Sequence, residues 1–155
     1  MTPAVNVAKK LKIKHIVHDY NHDAAAESYG LEAAEKLKVA PERVFKTLVV
    51  LLDNNELIVG IVPVTQKLSV KLIAKVLGEK KAVMATKLVV ERTTGYVLGG
   101  VSPLGQKTRL RTVFDASSMQ FETIFVSAGR RGLEIELSPR DLKVLTSSVI
   151  ADIVL

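Results

Sequence analysis

Lys46 is the residue on which chemistry in this chain could turn. It stands near the head of the run Val44-Phe45-Lys46-Thr47-Leu48-Val49-Val50-Leu51-Leu52, a nearly continuous apolar stretch. Lysine is rarely buried without a reason. At a strand mouth it either snorkels to water or is aimed into a pocket, and we read Lys46 as aimed into a pocket. The second candidate is the stretch 93–107, which holds four of the nine glycines (Gly95, Gly99, Gly100, Gly105) together with Pro103. Glycine bares the main chain to a partner, and proline stiffens the bend. Such a loop suits recognition by backbone N–H and C=O groups. An enzyme built on these parts has few reacting side chains and relies on positioning and on backbone donors that meet a developing oxyanion.

Other constellations are missing. There is no cysteine, hence no thiol nucleophile, thiolate metal site or disulfide. No GxSxG is present, and no serine has a convincing His–Asp partner. The glycines spell neither GxGxxG nor a Walker loop, so no nucleotide cofactor is expected. His18 and His22, with Asp19 and Asp23, have metal-ligand chemistry, but their spacing needs a helix and the segment reads as strand and turn. No metal is expected. Tyr20 and Tyr29 flank the polar loop 21–28, where either lines a pocket or sits half buried at a strand end.

These residues need elements to hold them. Thr2-Pro3 starts a helix with Val5, Ala8 and Leu11 on one face. Residues 13–20 read as a strand, 31–38 as a helix, and 41–43 as a short helical turn. The runs 44–52 and 57–64, joined by Asp53-Asn54-Asn55, predict a hairpin buried on both faces. Ser69 caps a helix to Leu77 with a core face of Leu72, Ile73, Val76 and Leu77, ended by Gly78. A short strand follows at 80–84, then a helix at 86–92. Lys107, Arg109 and Arg111 alternate with Thr108 and Leu110 as a basic stripe on one strand face, suited to phosphate contact. Residues 122–127 and 133–137 are strands around a second glycine-bearing turn, 127–132, with Arg130 and Arg131. Ser138-Pro139 opens a helix to about Thr146, and 149–154 adds a terminal strand. Strands cluster mid-chain with helices interspersed irregularly. The expectation is a single α+β domain over 1–155, with a mixed, mostly antiparallel central sheet and helices packed around it.

At 155 residues, one domain with one real core is expected. The net charge of +6 favours polyanionic partners through counterion release. Aromatics make up only 5%, so stacking platforms for single-stranded nucleic acid are scarce. No apolar run reaches transmembrane length and no signal-peptide pattern opens the chain, so a cytoplasmic location and no membrane partner are expected.

Phe45-Lys46-Thr47-Leu48, Thr94-Gly95-Tyr96 with the run Gly99-Gly100-Val101-Ser102-Pro103-Leu104-Gly105, and Ser127-Ala128-Gly129-Arg130-Arg131-Gly132-Leu133 closely resemble the YbaK family, free-standing relatives of the editing domain inserted in bacterial prolyl-tRNA synthetase. The likeness spans nearly the whole chain and is nearest to the Cys-tRNA(Pro) deacylase branch. It implies hydrolysis of a mischarged aminoacyl-tRNA, chiefly cysteine on tRNA(Pro), without cofactor. The family's essential lysine maps onto Lys46 and its GxxxP loop onto Gly99, Gly100, Val101, Ser102 and Pro103. Tyr20, Tyr29, Thr47, Ser127, Gly129 and Arg130 fall at substrate positions. Tyr29 stands where relatives often have Phe, and Ala24 where they often have Pro after His-Asp. In that branch the substrate's own thiol attacks the ester carbonyl and departs as a cyclic thiolactone. An intramolecular thiol needs no protein nucleophile, since a well-held conformer supplies effective molarities of roughly 10⁵ M or more. The partners implied are mischarged tRNA(Pro) and prolyl-tRNA synthetase, because the chain has no obvious anticodon-reading module; DNA is not among them.

Rival readings are a neighbouring branch that removes alanine by water attack, a non-catalytic RNA-binding module using 107–111, and a small-molecule binder using the same pocket. The first is separated by charging tRNA(Pro) with different amino acids, the second by salt-sensitive tRNA binding without cleavage, and the third by ligand-induced stabilisation indifferent to tRNA.

Overall fold

The computed structural model describes residues 1–26 and 28–155. In chain order the elements are α1 (Pro3–Lys10), β1 (His15–Asp19), α2 (Tyr29–Leu37), a 3₁₀ turn (Pro41–Arg43), β2 (Phe45–Leu52), β3 (Leu57–Pro63), α3 (Val70–Val76), β4 (Ala82–Met84), α4 (Lys87–Thr94), β5 (Arg111–Asp115), a 3₁₀ turn (Ala116–Gln120), β6 (Ile124–Arg130), β7 (Leu133–Leu137), α5 (Pro139–Thr146) and β8 (Val149–Ala151). Every α-helix starts where a hydroxyl residue can cap it. Thr2, Ser28, Ser69, Thr86 and Ser138 each accept a hydrogen bond from an N–H of the first turn, satisfying donors that have no partner inside the helix.

The strands form two sheets rather than one. A three-stranded antiparallel sheet runs β1-β7-β6, and a five-stranded mixed sheet runs β4-β2-β3-β5-β8. In the second, β2 pairs antiparallel with β3 and β4, while β3-β5 and β5-β8 are parallel. The mixed, mostly antiparallel α+β architecture expected from the sequence therefore holds. Its main core lies between the two sheets, where Phe45, Val49, Val59, Ile61 and Phe114 meet Ile124, Val126, Ile135 and Leu137. Phe45 and Phe114 pack edge to face, 5.9 Å between centroids. On the outer face of the larger sheet, Val50, Leu52, Ile58, Val62 and Val113 pack on Ile73 and Ala74 of α3. The 44–52 run is thus apolar on both faces because each face has its own layer.

Several local expectations change. In α3 it is Ile73 and Ala74 that are buried, and Val76 is exposed. In α1, Ala4 joins Val5 and Ala8 in the core, while Leu11, the residue that ends the helix, is exposed. The 107–111 stripe is not a strand face. Only Arg111 belongs to β5, where it forks onto Glu56 at 2.7 and 2.8 Å, and Arg109 bonds Ser147 Oγ and the Leu145 carbonyl. Those arginines hold neighbouring elements together instead of forming one cationic stripe. The strand expected to end at Ser127 runs on to Arg130, with a bulge between Ser127 and Arg130. The terminal strand stops at Ala151.

Candidate active site

The site grows from an unpaired length of strand. β4 covers β2 only from Val50 to Leu52, so the first half of β2 has a bare edge. A cavity of about 370 Å³ lies along that edge, lined by four consecutive residues, Phe45, Lys46, Thr47 and Leu48. Residues that alternate across a strand can meet one cavity only if the cavity follows its edge. The Lys46 ammonium makes no ion pair among the described residues, and burial, then the charge of Lys67, hold its pKa below the ordinary lysine range. Thr47 Oγ1 is buried and without a hydrogen-bond partner among the described residues.

The opposite wall is the glycine loop. Gly99 and Val101 line the cavity. Gly99 has φ +90°, and a Cβ there would stand 2.5 Å from the Tyr29 ring and 2.8 Å from Arg131 Nε. Only glycine fits. The loop is pinned at several points. Glu91 accepts from Leu98 N at 2.8 Å, Tyr96 donates its hydroxyl hydrogen to the Leu104 carbonyl at 2.6 Å, and Gln106 Nε2 donates to the Ser102 carbonyl at 3.0 Å. Its backbone donors are therefore preorganised.

The third wall comes from the small sheet. In β7 the sequence Leu133-Glu134-Ile135-Glu136-Leu137 alternates, and the leucines and isoleucine enter the main core. Glu134 and Glu136 face the other way. Glu136 is fully engaged, by His18 Nε2 at 2.8 Å, Thr123 Oγ1 at 2.5 Å and Arg43 Nη2 at 3.4 Å. Glu134 pairs across the sheet with Ser127 of β6 and His18 of β1, lines the cavity, and is 6% exposed. Burial pushes its carboxyl up to about 8. Tyr20 continues β1 beside it, its phenol raised to about 12 by burial and then by the charges of Glu134 and Glu32.

The fourth wall is the start of α2, where Ser28, Tyr29 and Gly30 meet the cavity. Glu32, buried one turn further on, accepts from His22 Nδ1 and the Asp23 N–H, each at 2.7 Å, and from Lys36 at 3.2 Å. Burial raises the Glu32 pKa, and those three donors together outweigh it and hold the carboxylate below its usual range. The network ties the 21–26 segment to the helix and sets His22 edge-on to Tyr29, 5.5 Å between centroids. His18 and His22 thus serve separate carboxylates, and no metal-binding cluster occurs among the described residues.

Of the residues singled out from sequence, Lys46, Thr47, Tyr20, Tyr29, Gly99, Val101 and Ser127 share this cavity. The others do not line it. The Gly100 N–H is taken by the Val97 carbonyl at 2.8 Å, and a Cβ there would meet the Arg130 backbone at 2.9 Å. Ser102 is fully buried and Pro103 lines a separate cavity with Leu104 and Gln106. Gly129 lies against Tyr96 and Thr2. Arg130 is exposed, and it is Arg131 that reaches the site. Sequence reasoning missed Glu134, although the alternation of 133–137 marks two carboxylates on one face. It also missed Arg131 as a site residue, because it lies in the turn after β6, where strand alternation gives no cue.

Comparison with known proteins gives the family and the fold. The aminoacyl-tRNA editing domain family matches residues 24–145. A protein of Enterococcus faecalis (strain ATCC 700802 / V583), named as a candidate Cys-tRNA(Pro)/Cys-tRNA(Cys) deacylase, EbsC, is 35% identical over 98% of this chain and 92% of its own. The uncharacterized protein YwhH of Bacillus subtilis (strain 168) is 29% identical over 76% of this chain and 74% of its own. Among solved structures, the hypothetical protein APE2540 superposes with a TM-score of 0.88 at 24% identity, covering 99% of both chains. A candidate trans-editing enzyme for prolyl tRNA synthetase superposes at 0.82 with 21% identity, covering 99% of this chain and 97% of that one. At those identities the structural likeness is one of fold.

Proposed function

The chain belongs to the aminoacyl-tRNA editing domain family, and from that premise we propose that it clears cysteine from mischarged tRNA(Pro) in trans, the substrate's own thiol being the attacking group. Deacylation of mischarged aminoacyl-tRNA is the activity of the family. The observation that carries the finer reading is the make-up of the cavity: Lys46, Arg131 and Glu134, a bare glycine backbone and several hydroxyls, of which that of Thr47 is buried, with no cysteine or histidine among its lining residues. Such a site holds an ester and stabilises charge, but offers no activated nucleophile of its own.

The ester carbonyl lies against the 99–101 backbone. Neither the Gly99 nor the Val101 N–H has an acceptor among the described residues, so both are available to the oxyanion. The cysteine Sγ attacks the carbonyl carbon, the C–S bond forms, and the bond to the ribose oxygen breaks. The thiol proton leaves with that oxygen, freeing tRNA and a cyclic thiolactone that water opens. Lys46 anchors the terminal nucleotide's phosphate or polarises the ester. Prolyl-tRNA synthetase is the partner that supplies tRNA identity, and the cytoplasm is where both occur. Among the described residues no helix is long and apolar enough to cross a membrane.

The test is deacylation of Cys-, Ala- and Ser-charged tRNA(Pro), with the cysteine thiol blocked in a further arm. The expected result is cleavage of the free-thiol cysteinyl ester and loss on blocking. Equal cleavage with the thiol blocked overturns thiol attack in favour of water.

A further inference from the structure

Glu134 is a buried acid without a counter-charge. Its carboxyl makes no hydrogen bond or ion pair among the described residues, although it is 6% exposed and lines the cavity. Its neighbour Glu136, on the same strand face, has three partners. The cations that share the cavity are otherwise placed. Arg131 donates from Nη2 to the Leu98 carbonyl at 2.8 Å and lies over Tyr29, its Nε buried without a partner among the described residues, and neither it nor Lys46 on the β2 wall makes an ion pair with Glu134. An apolar residue at position 134 would avoid the cost of burying an unpaired carboxyl. A site that keeps the carboxyl is built for a cation that arrives from outside.

This inference rests on the deacylase reading. An aminoacyl ester brings one cationic group, the α-ammonium, on the carbon next to the carbonyl that the 99–101 backbone receives. We propose that Glu134 is the receptor for the substrate's free α-amino group, so that the site accepts aminoacyl esters and rejects those whose nitrogen is acylated, such as formyl-aminoacyl- and peptidyl-tRNA. The burial that favours the protonated form of the empty carboxyl is offset when the amine arrives. A free amine takes the carboxyl proton and an ammonium displaces it to solvent; either way one carboxylate–ammonium pair results. An amide nitrogen cannot accept that proton, and it would leave the carboxyl unpaired against an acyl group.

The experiment compares Cys-tRNA(Pro) with its Nα-acetyl form, whose thiol and ester are intact, using the wild-type chain, Glu134→Gln and Glu134→Asp. Wild type should prefer the free amine by about 10- to 100-fold, the worth of a charge-assisted hydrogen bond. Glu134→Gln should lose that preference by slowing on the free amine alone, and Glu134→Asp should retain part of it. Equal wild-type rates on both esters overturn the inference while leaving the deacylase reading intact. Equal losses on both esters in Glu134→Gln also overturn it, since they would mark a general base or a structural carboxyl. If wild type cleaves neither ester, the functional reading falls and this one with it. Should Glu134→Gln not fold, the wild-type comparison and Glu134→Asp still decide.

Discussion

Arg131 lays its guanidinium over the ring of Tyr29, with 4.1 Å from the guanidinium carbon to the ring centroid. Arg131 Nη2 also donates to the Leu98 carbonyl at 2.8 Å. One side chain therefore ties the start of α2 to the glycine loop across the cavity mouth. Cation–π contact and hydrogen bond act on the same planar guanidinium, which stacks flat on the ring while its edge donates, a geometry that lysine's compact ammonium does not have. Arg131→Ala should slow deacylation about tenfold, and Arg131→Lys should not restore it. Arg130→Ala, removing an exposed neighbour, should leave the rate near wild type. Single-turnover assays of the three variants check the contrast.

Gly99 and Gly78 separate backbone strain from packing. Both have positive φ, +90° and +75°, but a Cβ at Gly99 meets the Tyr29 ring at 2.5 Å whereas nothing lies within 4 Å of one at Gly78. Gly78→Ala should cost about 1 kcal/mol, the left-handed penalty alone. Gly99→Ala should cost about 2–4 kcal/mol, adding overpacking to that penalty. Urea unfolding measures both. Gly99→Ala should also lose activity beyond its loss of stability, because the ring must move out of the cavity wall.

Lys46 and Thr47 are expected to trade stability for function. Lys46 is half buried and its burial penalises the charge, and Thr47 Oγ1 is buried without a partner among the described residues. Lys46→Met should fold with an unchanged or higher melting temperature, yet lower the deacylation rate about 100-fold. Thr47→Val removes an unsatisfied hydroxyl at constant shape, and should stabilise by about 1 kcal/mol while slowing cleavage. Retention of near wild-type rate in Lys46→Met would remove Lys46 from the mechanism.

Glu134 should leave a signature in the pH dependence of stability. Tyr20, Lys46 and Arg131 share its cavity, Ser127 and His18 pair with it along its sheet, and its folded pKa is raised to about 8 from 4.5 by burial. Between those values the unfolded chain has released the proton that the folded chain retains, so this group makes stability fall as pH rises through that window, with no further loss above it. Glu134→Gln removes the titration. It should be more stable than wild type at pH 8 by at least about 1 kcal/mol, and the two should converge near pH 4. Thermal melts across pH 4–9 show this directly.

Much of the fold is legible locally. Caps at Thr2, Ser69, Thr86 and Ser138 mark helix starts because a hydroxyl before a helical turn satisfies its free N–H groups whatever packs around it, whereas α2 begins two residues before the expected Leu31, capped by Ser28. The paired apolar runs mark β2 and β3, since two continuous hydrophobic strands need cover on both faces. Lys46 stands out by type alone, as a cation in such a run, and the glycine loop by composition. The tertiary structure decided the rest. The strands divide into two sheets because Val44 meets Phe125 only through a single bridge, a long-range contact with no local cue. The bare edge of β2 exists because β4 is short and pairs only at Val50–Leu52. The turn after β6 brings Arg131 rather than Arg130 to the cavity, and the facing of Glu134 into it depends on which side of the small sheet the main core covers. Sequence by itself determined which groups could do chemistry, because type and local propensity belong to single residues and short segments. Which of them face one another was left to strand register and layer packing, which are properties of distant segments brought together.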